Sequence, residues 1–176
     1  MRADLDPRAG SDPLWGSYAE PNQFFLGDGK GRFVDMSKND DAFCGTVEIT
    51  RALVLADLDE DGDLEMVVGN CRGPARIYEN VTEKAGNWLQ VRAIDKQLQR
   101  DVYGAVIWVH AGGRVVRRTV GPGRSYISSS MIACHFGLGP TESVDRVEIR
   151  WPGGEKETFP GGKCNQLMTL ARGEGR

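Results

Sequence analysis

Asp57, Asp59, Asp61 and Glu65 occupy positions 1, 3, 5 and 9 of the run Asp57-Leu-Asp-Glu-Asp-Gly-Asp-Leu-Glu65, which leads directly into Met66-Val67-Val68. Carboxylates this close repel one another. At ~5 Å each pair costs about 0.8 kcal/mol in water, and more where water is excluded. A hard divalent cation reverses that energy, and Ca²⁺ tolerates the irregular oxygen geometry of a tight loop. Gly62 lets the backbone turn sharply, so the carbonyl of Asp63 at position 7 can also face an ion. The spacing predicts a calcium loop with Asp57, Asp59, Asp61, Asp63 and Glu65 as ligands. The plain alternative is an acidic, solvated turn that binds nothing.

The flanks decide what kind of loop this is. An EF-hand would reach a bidentate Glu at position 12 and lie between helices. Position 12 is Val68, and the flanks Arg51–Ala56 and Leu64–Val68 are rich in strand-forming residues. A β-hairpin must therefore hold the acidic turn.

Other chemistry finds less support. No Gly-x-Ser-x-Gly elbow is present, and Ser128-Ser129-Ser130 has no evident base. Cys134 and His135 are adjacent, so on a strand they face opposite ways and cannot share a site. His110 and His135 are expected to be structural, and the spacing of histidines and cysteines fits no zinc pattern. Asp40-Asp41 is expected in a solvated polar turn. The segment Gly121-Pro-Gly-Arg-Ser-Tyr126 could offer amides and Arg124 to an anion, with Arg114 and Arg118 on one strand face extending a basic patch. Sulfated glycans or acidic protein would suit such a patch.

The 176 residues allow one ordinary domain or two small ones, and the formal net charge of −3 hides an asymmetry. Residues 1–86 carry 17 acidic against 9 basic groups, whereas residues 87–176 carry 8 against 13. A boundary near Gly86-Asn87 accounts for that shift. The negative total and the lack of interleaved aromatics argue against nucleic acid. No apolar run approaches 18 residues, so no membrane span is expected, and no signal peptide is visible. Cys44, Cys71, Cys134 and Cys164 allow three disulfide pairings. Pairing within each half closes loops of roughly 30 residues, worth about 3–4 kcal/mol each, and would imply an oxidising compartment. The alternative is four buried free thiols.

Residues 1–21 read as a linker or loose terminus, with Trp15 and Tyr18 as candidate anchors. Residues 22–86 form a first unit. Its Asn22-Gln-Phe-Phe-Leu and Gly31-Arg-Phe-Val-Asp35 flank a Gly-Asp-Gly-Lys-Gly turn, which predicts a hairpin. Residues 87–172 form a second unit, followed by the tail 173–176. In it, Leu89, Val91 and Ala93 alternate with Gln90 and Arg92, and Ala105–His110 and Val115–Val120 flank the Gly112-Gly113 turn. Further strands are predicted at Met131–Phe136, Val144–Trp151, Glu155–Phe159 and Gln166–Ala171. The fold class is all-β, with the second unit a sandwich or partly open barrel.

Residues 22–80, with their Asp-x-Asp-x-Asp-Gly-x-x-Glu loop, resemble one FG-GAP/VCBS-type repeat, the blade unit of integrin-like β-propellers. Asn87–Arg92, Tyr103–His110, Gly123-Arg-Ser-Tyr-Ile-Ser-Ser, His135-Phe-Gly-Leu-Gly139 and Val144–Gly154 resemble the ASPIC/UnbV domain of the cartilage acidic protein family. Glu65 stands where Asp is commoner in such loops, Cys134 and Cys164 fall outside the usual pattern, and only one blade is recognisable. The resemblance implies a propeller-blade-like calcium-binding repeat at the C-terminal end of a longer protein. One blade leaves faces and edges uncovered, so contact with further blades, the second unit or other copies is expected. The implied function is a non-enzymatic, secreted or extracytoplasmic calcium-binding module for adhesion or recognition of a protein or acidic glycan. The alternative implied by the UnbV name is an accessory or enzymatic protein of a bacterial polyketide-type pathway.

Overall fold

The computed structural model describes residues 18–71, 73–83 and 86–176; Trp15 and residues 1–17 of the expected linker lie outside the described residues. Strands β1 (Glu20–Pro21) and β4 (Val47–Glu48) pair antiparallel, and β2 (Phe25–Gly27) pairs with β3 (Phe33–Asp35) as the predicted hairpin. Asp28 closes that turn, its Oδ1 accepting from the N–H groups of Lys30 at 2.7 Å and Arg32 at 3.1 Å. After β3 the chain makes one helical turn, α1 (Asp41–Cys44). The Asp40-Asp41 pair starts this helix and does not sit in a plain polar turn, because Asp40 Oδ1 accepts from the Phe43 N–H at 3.0 Å. The helix turns Phe43 and Cys44 inward against Val68, with the Phe43 ring edge-on to Tyr78.

β5 (Thr50–Ala56), β6 (Glu65–Asn70) and β7 (Arg76–Tyr78) form a three-stranded antiparallel sheet in chain order. Ala56 pairs with Glu65, so the acidic run is the β5–β6 turn, as the strand-like flanks predict. The β2–β3 hairpin is a sheet of its own, so no four-stranded blade sheet forms among the described residues. A bidentate ion pair from Arg76 to Glu48, at 2.8 and 2.6 Å, ties β7 to β4.

The second unit contains β8 (Asn87–Asp95), β9 (Arg100–Asp101), β10 (Val106–Ala111), β11 (Arg114–Thr119), β12 (Cys134–Gly139), β13 (Ser143–Arg150), β14 (Lys156–Lys163) and β15 (Leu167–Ala171). One sheet runs β11-β10-β13-β14. The other runs β12-β8-β15, with β9 also on β8. No barrel closes among these sheets; their inner faces share one core instead, filled by Leu89, Val91, Phe136, Ile107, Val147 and Trp151. β15 lies parallel to β8, which places β8 between partners of opposite direction. Residues 164–166 carry the chain from one sheet to the other.

All four cysteines are free thiols, which corrects the expected disulfides. Three of them are buried in separate places, and Cys71 is half-buried. Cys44 packs beneath the first sheet, Cys134 faces the second core, and the Cys164 thiol donates to the Thr141 carbonyl at the crossing between sheets. No described helix is long and apolar enough to cross a membrane.

The two units meet along β5. One edge of β5 pairs with β6, and its other edge faces the loop between β11 and β12. The N–H groups of Leu53 and Leu55 donate to Ser125 Oγ at 3.0 Å and Ser130 Oγ at 3.3 Å. Ser128 Oγ donates to the Leu53 carbonyl, and the Met131 N–H donates to the Leu55 carbonyl at 3.1 Å. An open edge would otherwise template pairing with another chain.

Candidate functional site

Short-range hydrogen bonds shape the acidic turn. Asp57 Oδ1 accepts from the Asp61 N–H at 3.1 Å, and Asp57 Oδ2 from the Gly62 N–H at 3.0 Å. Asp61 Oδ1 accepts from the Asp63 N–H at 2.9 Å, and Asp59 Oδ1 lies 3.4 Å from the Asp61 nitrogen. Side chains that bond to the backbone inside their own turn are drawn inward. As a result one carboxylate oxygen each from Asp57, Asp59 and Asp61 lie within 4.8 Å of one another. Glu65 is placed differently. It is buried, and its Oε2 accepts from the Leu58 N–H at 2.8 Å, which fastens the base of the loop. Asp63 contributes its backbone to the turn and is not one of the three convergent carboxylates.

The loop rests on the outer face of β8 and β12. Gln90 Nε2 donates to Asp57 Oδ2 at 2.5 Å, and His135 Nε2 lies 2.8 Å from the Gly62 carbonyl, donating in the tautomer that carries its proton there. The Trp88 and His135 rings stack at 6.4 Å with 18° between their planes. Gly62 has φ +95°, and a Cβ there would fall 1.8 Å from the indole Nε1 of Trp88. Glycine is thus required twice, for the left-handed backbone and for the contact with the ring. Strand alternation puts Gln90 on the outward face of β8, yet it is only 6% exposed because the loop covers it. Trp88, Gln90 and His135 are the residues that spacing within the loop could not reveal. Above them a groove of about 700 Å³ opens between the units, with Val54, Trp88, Gln90, Ser130 and Leu167 in its walls.

The expected anion patch divides. Arg118 and Arg124 line a hollow of about 400 Å³ together with Arg117, Thr119, Gly121 and Gly123. Arg114 is not part of it, since its Nη2 donates to the Leu138 carbonyl at 3.0 Å. Residues 117 and 118 are consecutive on β11, the edge strand of its sheet, yet both line the hollow. Strict face alternation on β11 would put Arg117 on the face opposite Arg118. The Arg118 guanidinium lies 5.8 Å from the centre of the Phe136 ring.

The hydroxyls of Ser128 and Ser130 are taken up by β5, as described. Cys134 and His135 face opposite ways, as strand alternation requires. Burial pushes the Cys134 thiol up, with the nearby Arg124 and Arg118 charges opposing the rise. His110 Nε2 lies 3.0 Å from Glu148 Oε1.

None of the curated proteins matches this chain. A family model does, over residues 95–176, from the last residue of β8 to the C-terminus of the sequence. By that match, the second unit is similar to the domains described as ASPIC and UnbV.

Proposed function

We propose that this chain is a non-enzymatic recognition module, built as an integrin-like repeat joined to an ASPIC/UnbV domain, whose acidic turn is braced by Ca²⁺. The observation that carries the calcium reading is the convergence of Asp57, Asp59 and Asp61 oxygens within 4.8 Å. That spacing suits a single ion bound by several oxygens, and a carboxylate donor set is what a hard cation takes. Asp57, Asp59 and Asp61 would hold the ion through their side chains. The Asp63 carbonyl and the Glu65 oxygen not engaged with Leu58 would complete the set. Bound calcium would supply charge neutralisation and hence folding free energy. The chain's own residues do the rest: Gly62 makes the turn, Trp88 seats it, and Gln90 and His135 hold it to the second unit. Calcium binding is thereby coupled to how the two units are joined.

Extracellular modules of this kind bind calcium at roughly 10⁻⁴–10⁻³ M, which suits a secreted or extracytoplasmic setting. The test is thermal unfolding in EGTA and in millimolar CaCl₂. The melting temperature should rise with calcium, and the paired substitution Asp59→Ala with Asp61→Ala should remove the rise. An identical melting curve with and without EGTA, for protein first loaded with calcium, would end the calcium reading.

A further inference from the structure

We infer that the arginine hollow and the adjoining turn form a docking surface for an acidic segment of a protein partner. Two independent features point there. First, Arg117, Arg118 and Arg124 ring one hollow, and among the described residues none of them forms an ion pair with a carboxylate. Four other described arginines are neutralised, Arg76 by Glu48, Arg92 by Asp101, Arg146 by Glu148 and Arg172 by Glu155; what sets the hollow apart is that three unneutralised ones share it. Three like charges held together without counter-charges repel, and an incoming anion relieves that repulsion. The walls leave room for close approach, since a Cβ at Gly121 or Gly123 would meet nothing within 4 Å. Guanidinium forks suit carboxylates bound two oxygens at a time.

The second feature is backbone strain. Ile127 has φ +46°, a left-handed conformation that a β-branched residue rarely adopts, and its side chain is 85% exposed. Strain of this kind clusters at binding sites, where the surrounding structure imposes it. Here the imposing structure is visible: Ser125 and Ser128 bridge across the turn and are both bonded to Leu53, which thrusts Tyr126 and Ile127 outward. Tyr126 is 64% exposed. Only Ser125 and Tyr126 separate Arg124 from Ile127, so the Cα atoms of the hollow's arginine and of the apolar tip lie at most about 11 Å apart. An aliphatic side chain beside a carboxylate-binding hollow fits a peptide that alternates acidic and apolar residues. A sugar chain would find no use for isoleucine.

This surface deepens the recognition reading and is independent of calcium, so binding is measured both in EGTA and in CaCl₂. The probe is a fluorescein-labelled octapeptide alternating glutamate and leucine, titrated at 50 and 300 mM salt and followed by anisotropy. Binding is expected at low salt and should weaken at least tenfold at high salt. Arg117→Ala combined with Arg124→Ala should weaken it at least tenfold at unchanged melting temperature. Lys96→Ala, which removes a charge elsewhere, should not. Ile127→Gly is the decisive variant: it relieves the left-handed strain, so stability holds or rises while affinity falls several-fold. Unchanged affinity in Ile127→Gly, whatever its stability, would overturn the proposal. So would no peptide binding up to 1 mM, or tighter arginine-dependent binding of a heparin hexasaccharide than of the peptide.

Discussion

Asp59→Asn should have opposite effects on stability without and with calcium. Asp59 contributes an oxygen within 4.8 Å of oxygens from both Asp57 and Asp61. At that distance each like-charge pair costs about 0.9 kcal/mol in water, so removing one charge from two pairs relieves up to about 1.7 kcal/mol, less after screening by salt. Asparagine keeps the oxygen that faces the Asp61 N–H, so the turn itself is not disturbed. In EGTA the variant should therefore melt a few degrees above the parent protein. In 10 mM CaCl₂ the order should reverse. With a dissociation constant of roughly 10⁻⁴–10⁻³ M, calcium adds about 1.4–2.7 kcal/mol to the parent, equivalent to roughly 3–10 °C. The variant, lacking one charged ligand, should keep only a small part of that rise. Differential scanning calorimetry at matched ionic strength reads both numbers. If Asp59→Asn melts with the parent in EGTA and shows the parent's full rise in calcium, neither the crowding of charges nor the ion accounts for this loop.

Gly62→Ala should cost about 2–4 kcal/mol in denaturant unfolding, since it adds a left-handed penalty to a collision with the Trp88 ring. An unchanged midpoint would show that the loop does not rest on β8. Ser130→Ala removes the acceptor of the Leu55 N–H and should cost about 1–2 kcal/mol, with faster hydrogen exchange at Leu55 read by NMR. The Asp101 carboxyl is held below its usual range by its hydrogen bond to Arg92, opposed by burial. Its contribution is therefore complete above the ordinary carboxylate range and lost as pH falls through the lowered value. Because Arg92 is about half exposed, Asp101→Asn should cost only about 0.5–1 kcal/mol at pH 7, and progressively less as the pH falls below the ordinary carboxylate range, by urea unfolding. Iodoacetamide at pH 8 should modify Cys71 first, with Cys44, Cys134 and Cys164 reacting only in denaturant, because burial encloses these three and pushes their thiols up. Rapid native labelling of Cys134, detected by peptide mass, would contradict the packed core.

Patterns local in the sequence carried far. Alternation at Leu89, Val91 and Ala93 located β8, and Gly112-Gly113 located the β10–β11 turn, because burial and turn geometry act over a few residues. The acidic spacing located the β5–β6 turn and three convergent carboxylates. What stayed hidden depends on contacts between distant segments. Gln90 is chemically indistinguishable from any outward polar residue until a loop 33 residues earlier in the chain covers it. Ser125, Ser128 and Ser130 looked like a polar stretch because nothing local says that their hydroxyls meet the edge of β5, more than 70 residues away. The parallel pairing of β15 with β8 is equally non-local. Glu65 shows a second role that spacing does not reveal: it is buried, and the Leu58 amide engages one of its two oxygens.

The position of β8 has a practical result. The family match begins at residue 95, where β8 ends, yet β8 holds both β12 and β15. A fragment trimmed to those matched residues would lose the middle strand of one sheet, along with Leu89, Val91 and Ala93 from the core. Its two orphaned strands would seek partners in neighbouring molecules, and precipitation on expression would follow. Starting the fragment at Asn87 would spare it that fate but leave the seat on Trp88, Gln90 and His135 without its acidic turn and Ser125 and Ser130 without β5, so the smallest faithful piece has to carry both halves.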